Sequence, residues 1–285
     1  IFAIILLFLI NILKAFRLKI LLKNYKNKKI EFYLKPILLR QFLNSAFIGN
    51  LGEFAVPYVF KKYLKISYSE SLSLTIIERL LDLTFITLIF GITLFFNDLL
   101  FDKEMIYVYF SLYFFIICIF IFILNSKKNI FFIPKKIINQ FKEGYKKSIS
   151  NYKILIYSII YTVIIWLIFI VIDCFVFYSF DATRPIFTIS NIIFITCVIL
   201  VSQLIPSAPA SIGVFNYFII KTIEIFYETL GLSFDLEIQS DLASISIIIL
   251  FVYILPDITW GAYIFYKELN KNIKKFIIYS SKYMG

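Results

Sequence analysis

Residues 153–180 read KILIYSIIYTVIIWLIFIVIDCFVFYSF, and this stretch decides the class of fold. A helix needs about 20 apolar residues to cross a hydrocarbon core of about 30 Å, because it rises about 1.5 Å per residue. Other apolar segments occupy residues 1–18, 36–60, 71–96, 105–124, 187–205, 212–228 and 242–266. The sequence therefore predicts an all-α, polytopic membrane helix bundle of about seven spans, with re-entrant or broken helices.

The composition of the chain agrees with this prediction. Of the 285 residues, 61% are hydrophobic, 34 are Phe and only 16% are charged, and the mean hydropathy is +0.88. A soluble domain of this length exposes far more charge. We therefore interpret residues 1–285 as a single integral-membrane domain, in which residues 267–285 form a basic cytoplasmic tail.

The distribution of lysine explains the net charge of +11. Of the 25 lysines, 22 lie in residues 19–35, 61–65, 127–153 and 267–282, whereas acidic residues mark the loops at 97–104 and 229–241. The positive-inside rule places the lysine-rich regions in the cytoplasm. We expect a protein of the plasma or inner membrane with a cytoplasmic C-terminus, and no nucleic-acid partner.

The residue inventory also limits the chemistry. The chain has no histidine, and Cys118, Cys174 and Cys197 lie in apolar runs without metal-ligand spacing. Histidine-based triads are therefore excluded, and neither a glycine-rich phosphate loop nor the paired aspartates of a metal-dependent glycosyltransferase is present. We expect no catalytic residue, no metal and no cofactor, and a transporter in preference to an enzyme.

Two segments should be broken within the membrane. Residues 36–60 carry lysines at both ends, so the segment should enter and return, with its reversal at Gly49-Asn-Leu-Gly-Glu53. Pro206-Ser-Ala-Pro-Ala-Ser211 interrupts residues 187–228, where two crossings and one re-entrant loop fit equally well. Residues 128–150 suit an amphipathic helix on the inner leaflet or, alternatively, a solvated loop.

Charged residues inside the apolar segments indicate a polar cavity, because each costs at least about 2.5–3.5 kcal/mol at the bilayer centre unless it is paired. They are Arg40, Glu53, Glu78, Arg79, Asp82, Asp173, Lys221, Glu224 and Asp257. Glu78 and Asp82 are one turn apart on one helix face, beside Arg79. The group is either an ion-pair clamp that fixes helix packing, or a site whose carboxylates orient an arginine that binds an anionic headgroup or carries protons. In either case the reversal and the helix at 71–96 should converge.

The order of signals along the chain is similar to that of a known family. Leu13-Lys-Ala-Phe-Arg17, Leu21-Leu22, Asn44, Gly52-Glu53, the Glu78-Arg79-x-x-Asp82 box and Pro206-Ser-Ala-Pro-Ala-Ser-Ile-Gly-Val-Phe215 follow one another. This order resembles the flippase-like transmembrane family that includes the membrane half of lysylphosphatidylglycerol synthase, of the multiple peptide resistance factor type. Members begin with one more helix, so we interpret Ile1 as lying inside an N-terminally truncated chain.

Two departures from the family pattern accompany the resemblance. The family usually has Pro-Gly-Gly-Ile-Gly-x-x-Glu, where this chain has Pro209-Ala-Ser-Ile-Gly213 and then Asn216. It also usually has an arginine shortly after Gly-Glu, where this chain has Pro57 and then two lysines.

The resemblance implies movement of a lipid, or of a lipid-linked intermediate, between leaflets. The implied substrate-binding residues are Arg17, Arg40, Asn44, Glu53, Glu78, Arg79, Asp82, Pro209, Ser211 and Gly213. A helix N-terminus near Ile212, capped by Ser211, would suit a phosphate. The partners would be anionic or phosphate-bearing membrane lipids. The alternative is a membrane-embedded transferase, or an accessory subunit of a lipid- or glycolipid-modifying enzyme, working with a separate synthase or glycosyltransferase.

Overall fold

The computed structural model describes residues 1–25, 28–47, 51–96, 135–149, 151–202 and 208–283, together with positions 111, 114, 115 and 118. The regular secondary structure of these residues is helical throughout, which confirms the all-α prediction. Gly49, Pro206, the predicted outward loop at 97–104 and most of the segment at 105–124 lie outside the described residues.

Nine α-helices are described over these ranges. They are α1 (Phe2–Leu21), α2 (Ile30–Ala46), α3 (Ala55–Leu64), α4 (Tyr68–Phe96), α5 (Lys135–Ile149), α6 (Tyr152–Tyr178), α7 (Ile189–Ser202), α8 (Val214–Thr229) and α9 (Leu236–Tyr283). Short 3-10 turns occupy Leu51–Phe54, Asp181–Ile186 and Pro209–Ser211. In the described part of the chain, α6 and α9 as far as Glu268 are long and apolar enough to cross a membrane. The count of seven spans stays a prediction.

The described residues form two large apolar cores and a smaller third one between α1 and α6. The first joins α1 to α4 around Leu18, Ile37 and Phe60. The second joins α6 to α9 around Phe177 and Ile249. Helix α1 packs along α6 and α9 packs along α2, so the two halves meet at both contacts. Polar side chains on α1, α4 and α6 therefore approach one another where the halves join.

The segment predicted to reverse direction does not form one straight helix. Helix α2 ends at Ala46, a 3-10 turn follows at Leu51–Phe54, and α3 begins at Ala55 and packs back against α2. Pro57 lies in the first turn of α3, where a backbone N–H has no intrahelical acceptor to lose. The predicted break is confirmed, while its depth in a membrane stays a prediction.

Helix α5 packs against α4 on the lysine-rich side. Glu70 accepts hydrogen bonds from the Lys147 ammonium at 2.7 Å and from the Tyr25 hydroxyl at 3.0 Å. Burial raises the pKa of Tyr25, and the charge of Glu70 raises it further. Residues 135–149 are therefore a docked helix and not a solvated loop, and contact of this helix with the inner leaflet stays a prediction.

Candidate functional site

Arg17 on α1 is the most enclosed arginine of a buried ion-pair cluster. Its side chain is 1% exposed, and its Nη1 and Nη2 atoms bind the two oxygens of Asp82 on α4 at 2.5 and 3.1 Å. Nη1 also donates to the Thr162 hydroxyl at 2.9 Å, and the Trp166 indole N–H donates to Asp82 at 3.2 Å. Sequence reasoning missed Thr162 and Trp166, because uncharged residues on an apolar helix give no signal of this kind.

Glu78 is shared by two arginines. It is fully buried, accepts a hydrogen bond from Arg40 Nη1 at 3.2 Å, and its other oxygen lies 3.6 Å from Arg17 Nε. This carboxylate therefore joins α1, α2 and α4. Removing one member of such a cluster leaves an uncompensated buried charge, which is far more costly than losing an exposed pair.

Arg79 faces a different side of α4 from its neighbour Glu78, because successive residues are about 100° apart around a helix. It pairs with Glu53 in the turn after α2. The Arg79 side chain is 49% exposed and that of Glu53 is 29% exposed. The arginines that Glu78 and Asp82 bind are Arg40 and Arg17, and not their neighbour Arg79.

The turn that carries Glu53 is held close to α2. The Gly52 N–H donates to the Asn44 side-chain oxygen at 2.7 Å. A Cβ atom at Gly52 would overlap the carbonyl oxygen of Arg40. The absence of a side chain therefore lets the turn approach α2 and places Glu53 beside Arg79.

The cluster retains unused hydrogen-bonding capacity. Within the part of the chain that the structure describes, Arg40 Nε and Glu53 Oε2 are buried without a hydrogen-bond partner, while Arg17 Nε faces Glu78 Oε1 at 3.6 Å, beyond hydrogen-bonding distance. Buried polar atoms normally find partners, so unpaired atoms in one cluster point to a polar ligand or to water. The formal charges of the three arginines and three carboxylates balance.

Further polar residues extend the cluster along α1. Asn11 donates to Asp257 on α9 at 3.4 Å, and Lys14 lies close enough to Asp257 to interact electrostatically. Sequence reasoning did not include Asn11 or Lys14 in the site. Their spacing of three residues from each other, and of Lys14 from Arg17, is the signal that could have found them, because it places all three on neighbouring parts of one face.

The proline-flanked turn packs against α2, so both interrupted segments meet on that helix. Pro209, Ala210 and Ser211 form a 3-10 turn, and α8 begins at Val214 with Gly213 as its N-cap residue. The side chain of Asn216 accepts from the Gly213 N–H at 3.1 Å. The predicted helix start near Ile212 is within two residues of Val214, but the predicted Ser211 cap is wrong, because Ser211 has φ 59° and belongs to the preceding turn.

Two of the charges expected to face the bundle interior do not do so. Lys221 on α8 is half exposed and pairs with Glu224, one turn along the same helix, at 2.5 Å. The pair neutralises itself locally and needs no partner from the bundle.

A family model described as "Lysylphosphatidylglycerol synthase TM region" matches residues 1–228, and the chain belongs to that family. No curated protein matches the chain, and no solved structure does. Family membership and the two apolar helices of spanning length make it a membrane protein with a lipid-related function.

Proposed function

We propose that the protein moves a lipid, or a lipid-linked intermediate, between membrane leaflets, and that the Arg79–Glu53 pair receives its anionic headgroup. The observation that carries the proposal is that the arginines of the ion-pair cluster differ in their exposure. Arg17 and Arg40 are buried on their carboxylates, whereas half of the Arg79 side chain is accessible. A ligand can therefore reach Arg79 without opening the rest of the cluster.

Arginine suits a phosphate because its planar fork can bind two oxygens at once. A phosphate that took the place of the Glu53 carboxylate would also meet Arg40, which lies close enough to Glu53 to interact electrostatically. Arg40 Nε has no hydrogen-bond partner among the described residues. Exchange of one anion for another keeps the charge of the cluster balanced, so binding needs no new buried charge.

The membrane topology and the partners follow the sequence predictions. The lysine-rich loops and the C-terminus lie in the cytoplasm, about seven spans cross the plasma or inner membrane, and phosphate-bearing lipids are the partners. Helix α4 begins just after Lys61, Lys62 and Lys65, so Arg79 lies three turns from its cytoplasmic end. That depth suits a headgroup leaving the inner leaflet.

The test is a translocation assay in proteoliposomes that contain a fluorescent phosphatidylglycerol. Arg79→Lys keeps the charge but loses the fork, so we expect translocation to fall about tenfold or more, the scale of a charged hydrogen bond. The thermal unfolding temperature should change little, because the Arg79–Glu53 pair is partly exposed. Arg184→Lys is the matched control, since Arg184 is also exposed and also paired with a carboxylate, that of Asp181.

Two results would contradict the proposal. Normal translocation by both Arg79→Lys and Asp82→Asn would remove the cluster from the mechanism and leave the turn at 209–213 as the better candidate. If the wild-type protein translocates no lipid, the transport function itself is wrong, and the accessory or transferase role becomes the working hypothesis.

A further inference from the structure

Asp173 on α6 is a buried carboxyl group that lies apart from the ion-pair cluster. It is fully buried, and within the described ranges no lysine or arginine forms an ion pair with it. Its two oxygens instead meet hydroxyl groups. Oδ2 lies 2.6 Å from the Thr196 hydroxyl on α7, and Oδ1 accepts from the Tyr253 hydroxyl on α9.

The hydrogen count at Thr196 favours a protonated Asp173. Its hydroxyl oxygen also lies 2.8 Å from the Ile192 carbonyl, which can only accept. A threonine hydroxyl has one hydrogen, so it can make a full-strength hydrogen bond to Ile192 or to Asp173, but not to both together. All three hydrogen bonds form at once if Asp173 carries a proton on Oδ2 and donates it to Thr196, while Thr196 donates to Ile192 and Tyr253 donates to Oδ1.

Among the residues that the structure describes, the surroundings of Asp173 offer no other source of neutralisation. The ionisable groups close to Asp173 are the Tyr253 hydroxyl and the thiols of Cys174 on α6 and Cys197 on α7. Helix α1 contributes apolar side chains to the neighbouring core. Helix α4 contributes Phe85, Ile86 and Ile89 to the cleft that Thr196 lines. A bare carboxylate in such surroundings would be far more costly than a neutral acid.

Helix α9 carries a second carboxyl group one turn away from Tyr253. Tyr253 and Asp257 are four residues apart and therefore share a face of that helix. Asp257 in turn lies beside Lys14 of the cluster on α1. Chains of carboxyl and other polar groups inside membrane bundles are the usual carriers of protons.

We infer that Asp173 is a proton-binding site, a neutral carboxylic acid in this state that exchanges one proton with water when α6, α7 and α9 separate. Loss of the proton leaves a carboxylate that stabilises the separated, hydrated arrangement. Together with the proposed transport function, on which this step rests, a proton gradient would then drive or bias the movement of lipid.

Infrared difference spectroscopy of the purified protein tests the proton directly. The wild type should show the carbonyl stretch of a protonated carboxyl group at neutral pH, and Asp173→Asn should lose it. Asn keeps the fold, because its amide can donate to Thr196 while its carbonyl accepts from Tyr253. A spectrum unchanged by Asp173→Asn would overturn the inference, whether or not the protein transports lipid.

Proteoliposomes with an imposed pH difference test the coupling. We expect wild-type translocation to change at least several-fold with the direction of the gradient, and Asp173→Asn to show no such change. Thr196→Val is the control, since it removes the hydroxyl partner and keeps the titratable carboxyl group, so its response to the gradient should persist. An equal gradient response in wild type and Asp173→Asn would refute the coupling. If the wild type transports no lipid, the proposed function fails, and the infrared result still decides the proton site.

Discussion

The two halves of the bundle bury carboxyl groups in different ways. Between α1 and α4, Glu78 and Asp82 are neutralised by arginines that come from other helices. Between α6 and α9, the hydrogen-bond partners of Asp173 in the described part of the chain are two neutral hydroxyl groups. The first arrangement fixes helices together through charge, and the second depends on a proton, which can leave.

This difference assigns separate properties to the halves. An arginine in a protein stays charged at any ordinary pH, so the ion-pair cluster cannot be switched by losing protons from its cations. A carboxyl group that is hydrogen-bonded to hydroxyl groups, such as Asp173, can be switched by the gain or loss of a proton. The comparison therefore predicts that stability resides mainly in the cluster, and that the response to pH resides mainly at Asp173.

The largest effect should come from Arg17→Met. This change leaves Asp82 without its bidentate partner and Glu78 with Arg40 alone. Breaking a buried ion pair costs about 3–5 kcal/mol of unfolding free energy. Denaturant unfolding in detergent micelles should therefore show a marked loss of stability.

The double variant Arg17→Met with Asp82→Leu separates loss of charge balance from loss of packing. Apolar side chains of similar volume often replace a buried pair with little cost. We expect the double variant to recover most of the stability lost by Arg17→Met alone. If Arg17→Met is as stable as the wild type, the two halves do not differ in the way proposed.

A smaller loss of stability is expected at Gly52, in the turn that holds Glu53 beside the exposed Arg79. A methyl group at Gly52 would overlap the Arg40 carbonyl oxygen, so Gly52→Ala should displace the turn that carries Glu53. Overpacking of this kind costs about 1–3 kcal/mol. The thermal unfolding temperature should therefore fall. The rate of lipid translocation should fall as well, because Glu53 no longer contacts Arg79. Unchanged values of both would show that the close approach has no role.

The sequence predicted much of the first half and little of the second. Because an unpaired buried charge is costly, the sequence alone predicts that Arg40 and Glu53 lie near the Glu78-Arg79-x-x-Asp82 box. The detailed pairing was not predictable, because which carboxylate an arginine reaches depends on how each helix is rotated about its axis. Arg17 and Asp82 are 65 residues apart, and no local pattern connects them.

The hydrogen-bond partners of Asp173 were even less predictable from the sequence. Hydroxyl groups such as those of Thr196 and Tyr253 occur throughout the apolar segments, often bonded to their own helix backbone. Their role depends on a particular contact between helices and not on a pattern along one of them. The same limit applies to Thr162 and Trp166 in the cluster.

The smallest expected effect is a gain in stability. It concerns the turn at residues 209–211, between α7 and α8. Ala210 and Ser211 have φ values of 58° and 59°, in the left-handed region that costs a residue with a Cβ atom about 1–2 kcal/mol. They stand where the resemblance predicts two glycines. Ala210→Gly and Ser211→Gly should therefore each raise the free energy of unfolding by up to about 1 kcal/mol, since glycine relieves the strain but adds freedom to the unfolded chain. Ala208→Gly is the matched control, because Ala208 has φ −53° and gains nothing from glycine. If all three variants lose stability alike, the turn is not strained at these positions and the departure from the glycine pair has no energetic cost.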